Sequence, residues 1–417
     1  MIAIYTFTDC IIYQKETNFS YHLLTGIKQG LPLSPWLFLF YINDIFDYFE
    51  AIYGRKDLLE TIHLLIHADD TTLLASNRLT AESKIRSLLY YCKLNYISLQ
   101  ITKCEFIVIN GNEHDKKDFI IDNGRIRNVP YVTLLGSHFS QTGNINEDLK
   151  LHMEKRYIAV HKFYNFIRAN KLAPIHVKLK VLQACVTSSL LHNCETFGNK
   201  IPRELEQTYY SLIKCCLRVR ASTPNKLVLI ESNMPTIHSM IYSRQYNFFN
   251  KFIAQLTEDS SRKVVFDTIK QPKNDFIMHY TDLITRYNSK KDIQQYFHQK
   301  LCSEIRYSAE DDNKYKFQLY KSFNPDLIPP DVKKVYAYKF IRLRLSSHSM
   351  PIETGRWRRV ARENRLCETC NTLGDEKHYI YHCPNIDRTN INDIPEFKEL
   401  NKYNKLEQLI EKLKLYL

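Results

Sequence analysis

Two sets of side chains in this sequence have the types and spacing for chemistry. The first lies in Leu64-Leu65-Ile66-His67-Ala68-Asp69-Asp70-Thr71-Thr72-Leu73-Leu74-Ala75, where two acids stand side by side between short apolar runs. Each run has the length of a buried strand, and the Ala-Asp-Asp-Thr step has the length of a tight connection. The segment therefore reads as a hairpin with paired acids at its tip. Carboxylates fixed by strands in this way can hold a divalent cation. Asp is also frequent in ordinary turns, where it bonds its own backbone, so the pair takes its meaning from its surroundings. The second set is Cys367, Cys370, His378 and Cys383, a Cys-x2-Cys-x7-His-x4-Cys array. Four such ligands fit a tetrahedral structural zinc site, with no position left open for water. His382 is the alternative nitrogen ligand, and the spacing favours His378.

The charge distribution points to a polyanion. The 417 residues carry a formal net charge of +13, which favours nucleic acid over a membrane surface as partner. The excess is clustered. From Lys150 to Lys180 eight Lys or Arg face the single acid Glu154, and from Lys333 to Arg365 ten face Glu353 and Glu363. Tyr157, Phe163, Tyr164 and Phe166 interleave with the first cluster, and Tyr336, Tyr338 and Trp357 with the second. Basic groups can track phosphates while aromatic faces stack on bases, although the helical spacing of Phe163 and Phe166 also suits a core. Eleven cysteines, an odd count, are spread unevenly. With no secretory signal and no apolar run near the roughly 20 residues of a membrane span, the expectation is a reduced intracellular protein, cytoplasmic or nuclear, with no membrane partner.

The elements that must position these residues can be read coarsely. Met1 to Tyr13 reads as a strand. Ser34-Pro35 reads as a helix start, an N-cap followed by proline, with the helix running to about Glu50 and presenting Leu37, Phe40, Tyr41 and Ile45 on its apolar face. A second helix is expected near Thr80–Tyr96, packing Ile85, Leu88, Leu89 and Cys92 inward. Strands are expected near Glu105–Asn110, Asp118–Ile121, Arg125–Val129 and Val132–Phe139, the middle two joined by Asp122-Asn123-Gly124. From Asp148 to about Leu217 the pattern is helical, interrupted at Pro174. Residues 255–335 are helical in composition and carry no motif. The chain is thus α+β in its first third and mainly α beyond.

The first third resembles a known family. Gly26-Ile27-Lys28-Gln29-Gly30-Leu31-Pro32-Leu33-Ser34-Pro35, then Leu37-Phe38 and Tyr41-Ile42-Asn43-Asp44, is similar to the G-x-x-Q-G-x-x-L-S-P-x-L-F and Y-I-N-D-L blocks of reverse transcriptases of non-LTR retrotransposons. Ala68-Asp69-Asp70 resembles the catalytic hairpin of that family. Ser98 to Phe106 resembles its Asn-x-x-Lys-Thr block, with Gln100 and Cys104 as departures, and Tyr131 through Gly136 to Gly143 resembles its Y-L-G block. Order and spacing agree, which makes the set far more specific than any one block. The resemblance implies nucleotide addition by in-line displacement at phosphorus, assisted by two metal ions about 4 Å apart. It implies Asp69 as a direct Mg2+ ligand, Asp70 as ligand or support, Gln29 and Gly30 beside the incoming nucleotide, and Lys103 on phosphate, where a plain surface lysine is the equal alternative. It implies an RNA template and a DNA primer as partners.

It further implies a partial right-hand palm with an antiparallel sheet over 1–145 and a helical thumb-like region over 146–230. A helical region of unknown role over 231–345 and a basic segment with zinc knuckle and C-terminal helix over 346–417 complete the expected organisation. Lys155, Arg156, Lys162 and Arg168 in the thumb, and Arg356, Arg358 and Arg359 before the knuckle, are the expected nucleic-acid contacts. There are departures. The family's third metal-binding Asp lies well before Gly26, and here 25 residues precede it, with Asp9 and Glu16 as their acids. The fingers and an upstream endonuclease are absent, and His67 replaces an aromatic. The expectation is an N-terminally truncated reverse transcriptase, its Mg2+ site weakened and the chain inactive as it stands. The alternative is a non-catalytic nucleic-acid-binding remnant.

Overall fold

The computed structural model describes residues 9–14, 17–22, 32–54, 62–121, 124–256, 261–270, 275–329, 337–391 and 393–417. The backbone divides into two compact units. The first comprises residues 1–132, 140–143 and 256–271, and the second 133–139, 144–255 and 272–417.

In the first unit β1 (Asp9–Gln14) and β2 (Thr17–His22) pair antiparallel, with Asp9 opposite His22. The helix expected from Ser34 to Glu50 is two helices, α1 (Ser34–Tyr41) and α2 (Ile45–Tyr53). Pro35 opens α1 as expected, but Leu33, not Ser34, occupies the cap position, without a side-chain bond. The chain breaks at 42–44, where Asn43 and Asp44 are poor helix formers. The break redirects the apolar face. Ile42, Ile45 and Phe49 are buried, while Phe40 and Tyr41, expected inside, are 70% and 52% exposed.

β3 (Leu64–His67) and β4 (Asp70–Leu73) form the acidic hairpin. α3 (Arg78–Leu94) follows, with Asn77 capping the Thr80 N–H. Its helical period serves two cores at once. Leu88, Tyr91 and Cys92 meet Ile45, Phe49 and Leu64 on one side. Ile85 and Leu89 pack against Ile101, Phe119 and Ile126 on the other. The hairpin is therefore fixed by α2 and α3 rather than by a wide sheet. Lys84 of α3 is buried and donates to the Leu74 carbonyl at 2.6 Å, just beyond β4.

The expected strands are shorter than their sequence signals. β5 (Glu105–Phe106), β6 (Phe119–Ile121) and β7 (Gly124–Asn128) make a sheet in the order β5-β7-β6, with β5 parallel to β7 and β6 antiparallel to it. The described strands thus lie in four small sheets, one of them mixed, where a single antiparallel sheet is expected. Val132–Phe139 is not one strand. It is the hairpin of β8 (Tyr131–Leu134) and β9 (Ser137–Ser140), with Leu135 at φ 49° and Gly136 at φ 79°. Two successive positive φ values make a primed two-residue turn, which suits strand twist.

The second unit is helical. α4 (Ile145–Ala169) is capped by Asn144, and α5 (Ile175–Val181) begins after Pro174 and runs through a π turn at Leu182–Thr187. Then come α6 (Arg203–Leu217), α7 (Asn225–Ser232) and α8 (Ile237–Ala254). α9 (Ser261–Ile269) belongs to the first unit, and α10 (Asp275–Arg286), α11 (Lys290–Ala309) and α12 (Tyr315–Phe323) return to the second. α13 (Ala337–Arg344), α14 (Pro351–Trp357) and α15 (Leu406–Lys412) complete it. One core gathers α4 to α8 with α11; a second gathers Leu319, Phe323, Leu343, Ile352, Cys367, Ile380, Cys383 and Leu409. Within this unit the tip of the β8–β9 hairpin is held closely. The Leu135 carbonyl meets His192 Nε2 at 2.9 Å, and the Gly136 carbonyl accepts from Arg156 at 3.1 Å. A Cβ on Gly136 would lie 2.7 Å from His192 Nε2. Gly136→Val is therefore expected to lower stability by about 2 kcal/mol, from the positive φ together with the clash. An unchanged urea midpoint would refute this packing.

Candidate catalytic and metal sites

The acidic pair does not sit as one unit in the turn. The two-residue connection is Ala68-Asp69, and Asp70 is already the first residue of β4, directly opposite His67. Ala68 takes φ 53°, a left-handed conformation that costs a non-glycine residue about 1 kcal/mol or more. Both acids are exposed, as is His67. Because opposing residues of a pair share a face, the His67 ring and the Asp70 carboxylate emerge on the same side of the hairpin. Leu65, expected to be buried, is 45% exposed, so only one face of β3 is covered. Among the described residues no third carboxylate, histidine or cysteine joins Asp69 and Asp70 in a metal-sized group. Gln29 and Gly30 lie outside the described residues. Lys103 ends a 3-10 turn whose Ile101 is buried in the α3 core, which leaves the lysine exposed.

The Cys/His array does converge. Cys367, Cys370, His378 and Cys383 each offer a ligand atom within 4.8 Å of all the others. The Cys383 sulfur is 3.9 Å from that of Cys367 and 4.0 Å from that of Cys370. Zn–S bonds of about 2.3 Å in a tetrahedron require sulfurs about 3.8 Å apart. Local backbone explains the spacing. After Cys370, Asn371 at φ 51° folds the chain so that the Asn371 N–H reaches the Cys367 carbonyl at 2.9 Å, while the Cys367 N–H donates to Thr372 at 2.7 Å. His378 and Cys383 are the two ends of a π turn, with the Cys383 N–H on the His378 carbonyl at 2.8 Å. That turn brings positions five apart together. His382 is exposed and is not in the group.

The donor set suits a cation. His378 Nδ1 lies 3.3 Å from the Thr372 hydroxyl, and its Nε2 is buried without a partner. Such an orphaned nitrogen costs free energy unless something binds it. Burial raises the Cys367 thiol, but the Tyr379 hydroxyl at 3.5 Å, the N–H groups of Cys370 and Thr369 and the His378 ring outweigh it and bring it down to about 6. Desolvation and the two neighbouring thiols push Cys370 up to about 11. One thiolate is thus ready at neutral pH, and a cation would draw out the others. Thr372 and Tyr379 carry no sequence signature of this role; their positions follow from the turn after Cys370 and the π turn after Lys377.

The basic residues divide into two kinds. In α4, Lys162 and Arg168 are exposed, Lys155 is exposed with its Nζ 3.5 Å from the Thr133 hydroxyl, and Arg156 is half-buried against Gly136. Lys178 leaves the cluster altogether: it is buried, bonding the Lys171 carbonyl and the Tyr338 hydroxyl at 3.0 and 2.8 Å. Arg344 is likewise buried, 3.0 Å from Glu231. Arg356 lies 3.1 Å from Glu353, whereas Arg358 and Arg359 are exposed. No described helix is long and apolar enough to cross a membrane.

Comparison with known proteins addresses the first third. Residues 2–139 match the family model described as reverse transcriptase (RNA-dependent DNA polymerase). The chain is also 22% identical over 216 residues to the retrovirus-related Pol polyprotein from type-1 retrotransposable element R2 of Popillia japonica, an alignment covering 48% of this chain and 35% of the relative. The chain thus spans about a third of that relative's length. The family match spans the acid-tipped hairpin and the ordered blocks from Gly26 to Gly136, and together with the R2 relative it supports a reverse transcriptase domain of the non-LTR retrotransposon kind.

Proposed function

We propose that the β3–β4 hairpin is the metal-holding part of a nucleotidyl-transfer centre for RNA-directed DNA synthesis. Asp69, free of strand pairing in the turn, is the direct ligand, and Asp70 is the second ligand or its support. Gln29 and Gly30 border the nucleotide, and Lys103 contacts phosphate. When bound, Mg2+ would acidify the primer 3′-hydroxyl and offset charge on the leaving pyrophosphate. The carrying observation is the register His67↔Asp70, which leaves two exposed carboxylates on adjacent positions of a rigid hairpin. Around it the proposal assigns a partial palm to 1–145, a thumb-like grip on template and primer to 146–230, and a zinc-stabilised basic segment to 346–417. The chain would act inside the cell, in cytoplasm or nucleus.

Two carboxylates with no third among the described residues are a poor Mg2+ site, because the ion must keep several waters and the hydroxyl is loosely placed. The 417-residue chain alone is therefore expected not to extend a primer on an RNA template with Mg2+ or Mn2+. Template-dependent product above an Asp69→Ala control would overturn that expectation. The absence of a third ligand among the described residues also favours a second reading, a non-catalytic nucleic-acid-binding protein. Salt-dependent binding of a template–primer duplex without extension is its signature.

Cys367, Cys370 and Cys383 as thiolates, with His378 through Nε2, would hold Zn2+ in the C-terminal core. The orphaned Nε2 and the sulfur spacing support this.

A further inference from the structure

The chain brings Arg220, from the loop after α6, onto Trp357 at the end of α14, more than a hundred residues away in sequence. The Arg220 guanidinium carbon lies 3.4 Å from the indole centroid. Its backbone N–H donates to the Ser347 hydroxyl at 2.9 Å, and its Nη2 lies 3.3 Å from the Ser349 hydroxyl. Arg220 is thus pinned from both ends, and its planar group lies along one face of the ring. With Arg220 on its ring, Trp357 is still 43% exposed. A large aromatic backed by a guanidinium and still well exposed has the makings of a base-stacking site.

The charge around it is mainly positive. Desolvation and the nearby Arg342 both act against Arg220's proton, and Glu353 is the carboxylate that faces it. Glu353 is fully buried and already engaged by Lys316 at 2.8 Å and Arg356 at 3.1 Å. Arg358 and Arg359 follow Trp357 and are exposed. Arg220, Arg342, Lys316 and Arg356 thus lie about the committed Glu353 carboxylate, and Arg358 and Arg359 add exposed positive charge that a phosphate backbone would meet. A duplex keeps its base faces stacked and cannot offer one to an indole, whereas a single strand can.

We propose that Trp357, backed by Arg220, is a stacking site for one unpaired base of a single-stranded nucleic acid, with Arg358 and Arg359 on its phosphates. This rests on the nucleic-acid reading above and adds the strandedness of the ligand and the residue that takes the base.

The sequence contains two tryptophans, so Trp36→Phe leaves Trp357 as the sole indole fluorophore. Titrating that full-length variant with a dT or rU oligonucleotide should quench the emission, and the two arms tell DNA from RNA. A duplex of equal length should leave it nearly unchanged. Trp357→Leu should weaken single-strand binding about tenfold with an unaltered salt slope, because stacking is not ionic. Trp357→Phe should keep most of the affinity. Arg358→Ala should lower the salt slope by about 0.7, the value of one lost phosphate contact on a single strand. Binding seen by anisotropy with silent Trp357 emission, or Trp357→Leu binding as well as the parent, would overturn the stacking site alone. Equal quenching by duplex would overturn the unpaired base. A chain that binds no oligonucleotide of any kind overturns this site and the nucleic-acid reading together.

Discussion

Stripping zinc from the folded chain, or replacing Cys383 by Ser, is expected to unfold the C-terminal core while the helix Arg78–Leu94 of the first unit keeps its amide protection. Cys367 and Cys383 are not surface ligands. They are 2% and 0% exposed and sit among Leu319, Phe323, Ile352, Ile380, Leu400 and Leu409. The stretch from Leu366 to Cys383 has no extended helix or strand, only an isolated bridge between Leu366 and Leu373, a left-handed Asn371 and a π turn. Its shape depends on what joins its ends. Without a cation, three sulfurs that pairwise approach within 4.8 Å and a buried unpaired imidazole nitrogen oppose the fold. With one, they become its strongest tie. Structural zinc contributes roughly 10 kcal/mol or more of apparent free energy at neutral pH, against a whole-domain stability of about 5–15 kcal/mol. Hydrogen exchange resolved along the chain reads the effect directly. Tyr379, Ile380 and the helix Leu406–Lys412 should lose protection when the metal is removed. A reduced, folded sample that contains no zinc and still protects these amides would dismiss the site.

The contrast between what was legible in the sequence and what was not has physical causes. The acidic hairpin was legible because a short polar step between β-prone runs leaves the backbone few options. Its finer division was not, because propensity does not say that Asp70 pairs with His67 while Asp69 does not. The break between α1 and α2 hid beneath an uninterrupted apolar pattern, and the uncovered Trp36 and Phe40, 72% and 70% exposed, show that the pattern did not report burial there. The β8–β9 turn was missed because Leu135 sits at φ 49°, a conformation that Asn or Gly usually signals. The Cys/His array was readable because ligand spacing encodes turn geometry. Net charge along the sequence overstates the basic surface. Lys178 and Arg344 fall within basic runs, yet both are fully buried on specific partners. A count of lysines and arginines cannot separate those that face solvent from those that hold helices together.

The buried acids show the same limit from the other side, and Glu376 gives the second large effect. It lies two residues before His378, and no motif marks it. Its carboxylate accepts from the Tyr315 hydroxyl, the Ser346 hydroxyl and His348 Nε2, each at 2.7 Å, with His348 itself fully buried. Burial alone would raise this carboxyl; His348 and the two hydroxyls outweigh it and bring it down to about 2. Tyr315 belongs to α12, where the next residue, Lys316, bonds Glu353 at 2.8 Å and the Ser346 carbonyl at 3.0 Å. One carboxylate therefore ties α12, the 346–348 loop and the approach to the Cys/His cluster into one piece. Glu376→Ala leaves three donors without their acceptor in a site closed to water, and a broken buried pair costs about 3–5 kcal/mol. Glu376→Gln keeps the shape and one acceptor oxygen, and its cost should be smaller, about 1–3 kcal/mol. Because the network acts as a unit, adding His348→Phe to Glu376→Ala should cost less than the sum of the single changes. Denaturant unfolding of the zinc-loaded chain measures all four species. If Glu376→Ala unfolds within about 0.5 kcal/mol of the parent, the size of an ordinary surface substitution, the carboxylate does not hold these segments together and the zinc ligands are positioned by the core alone.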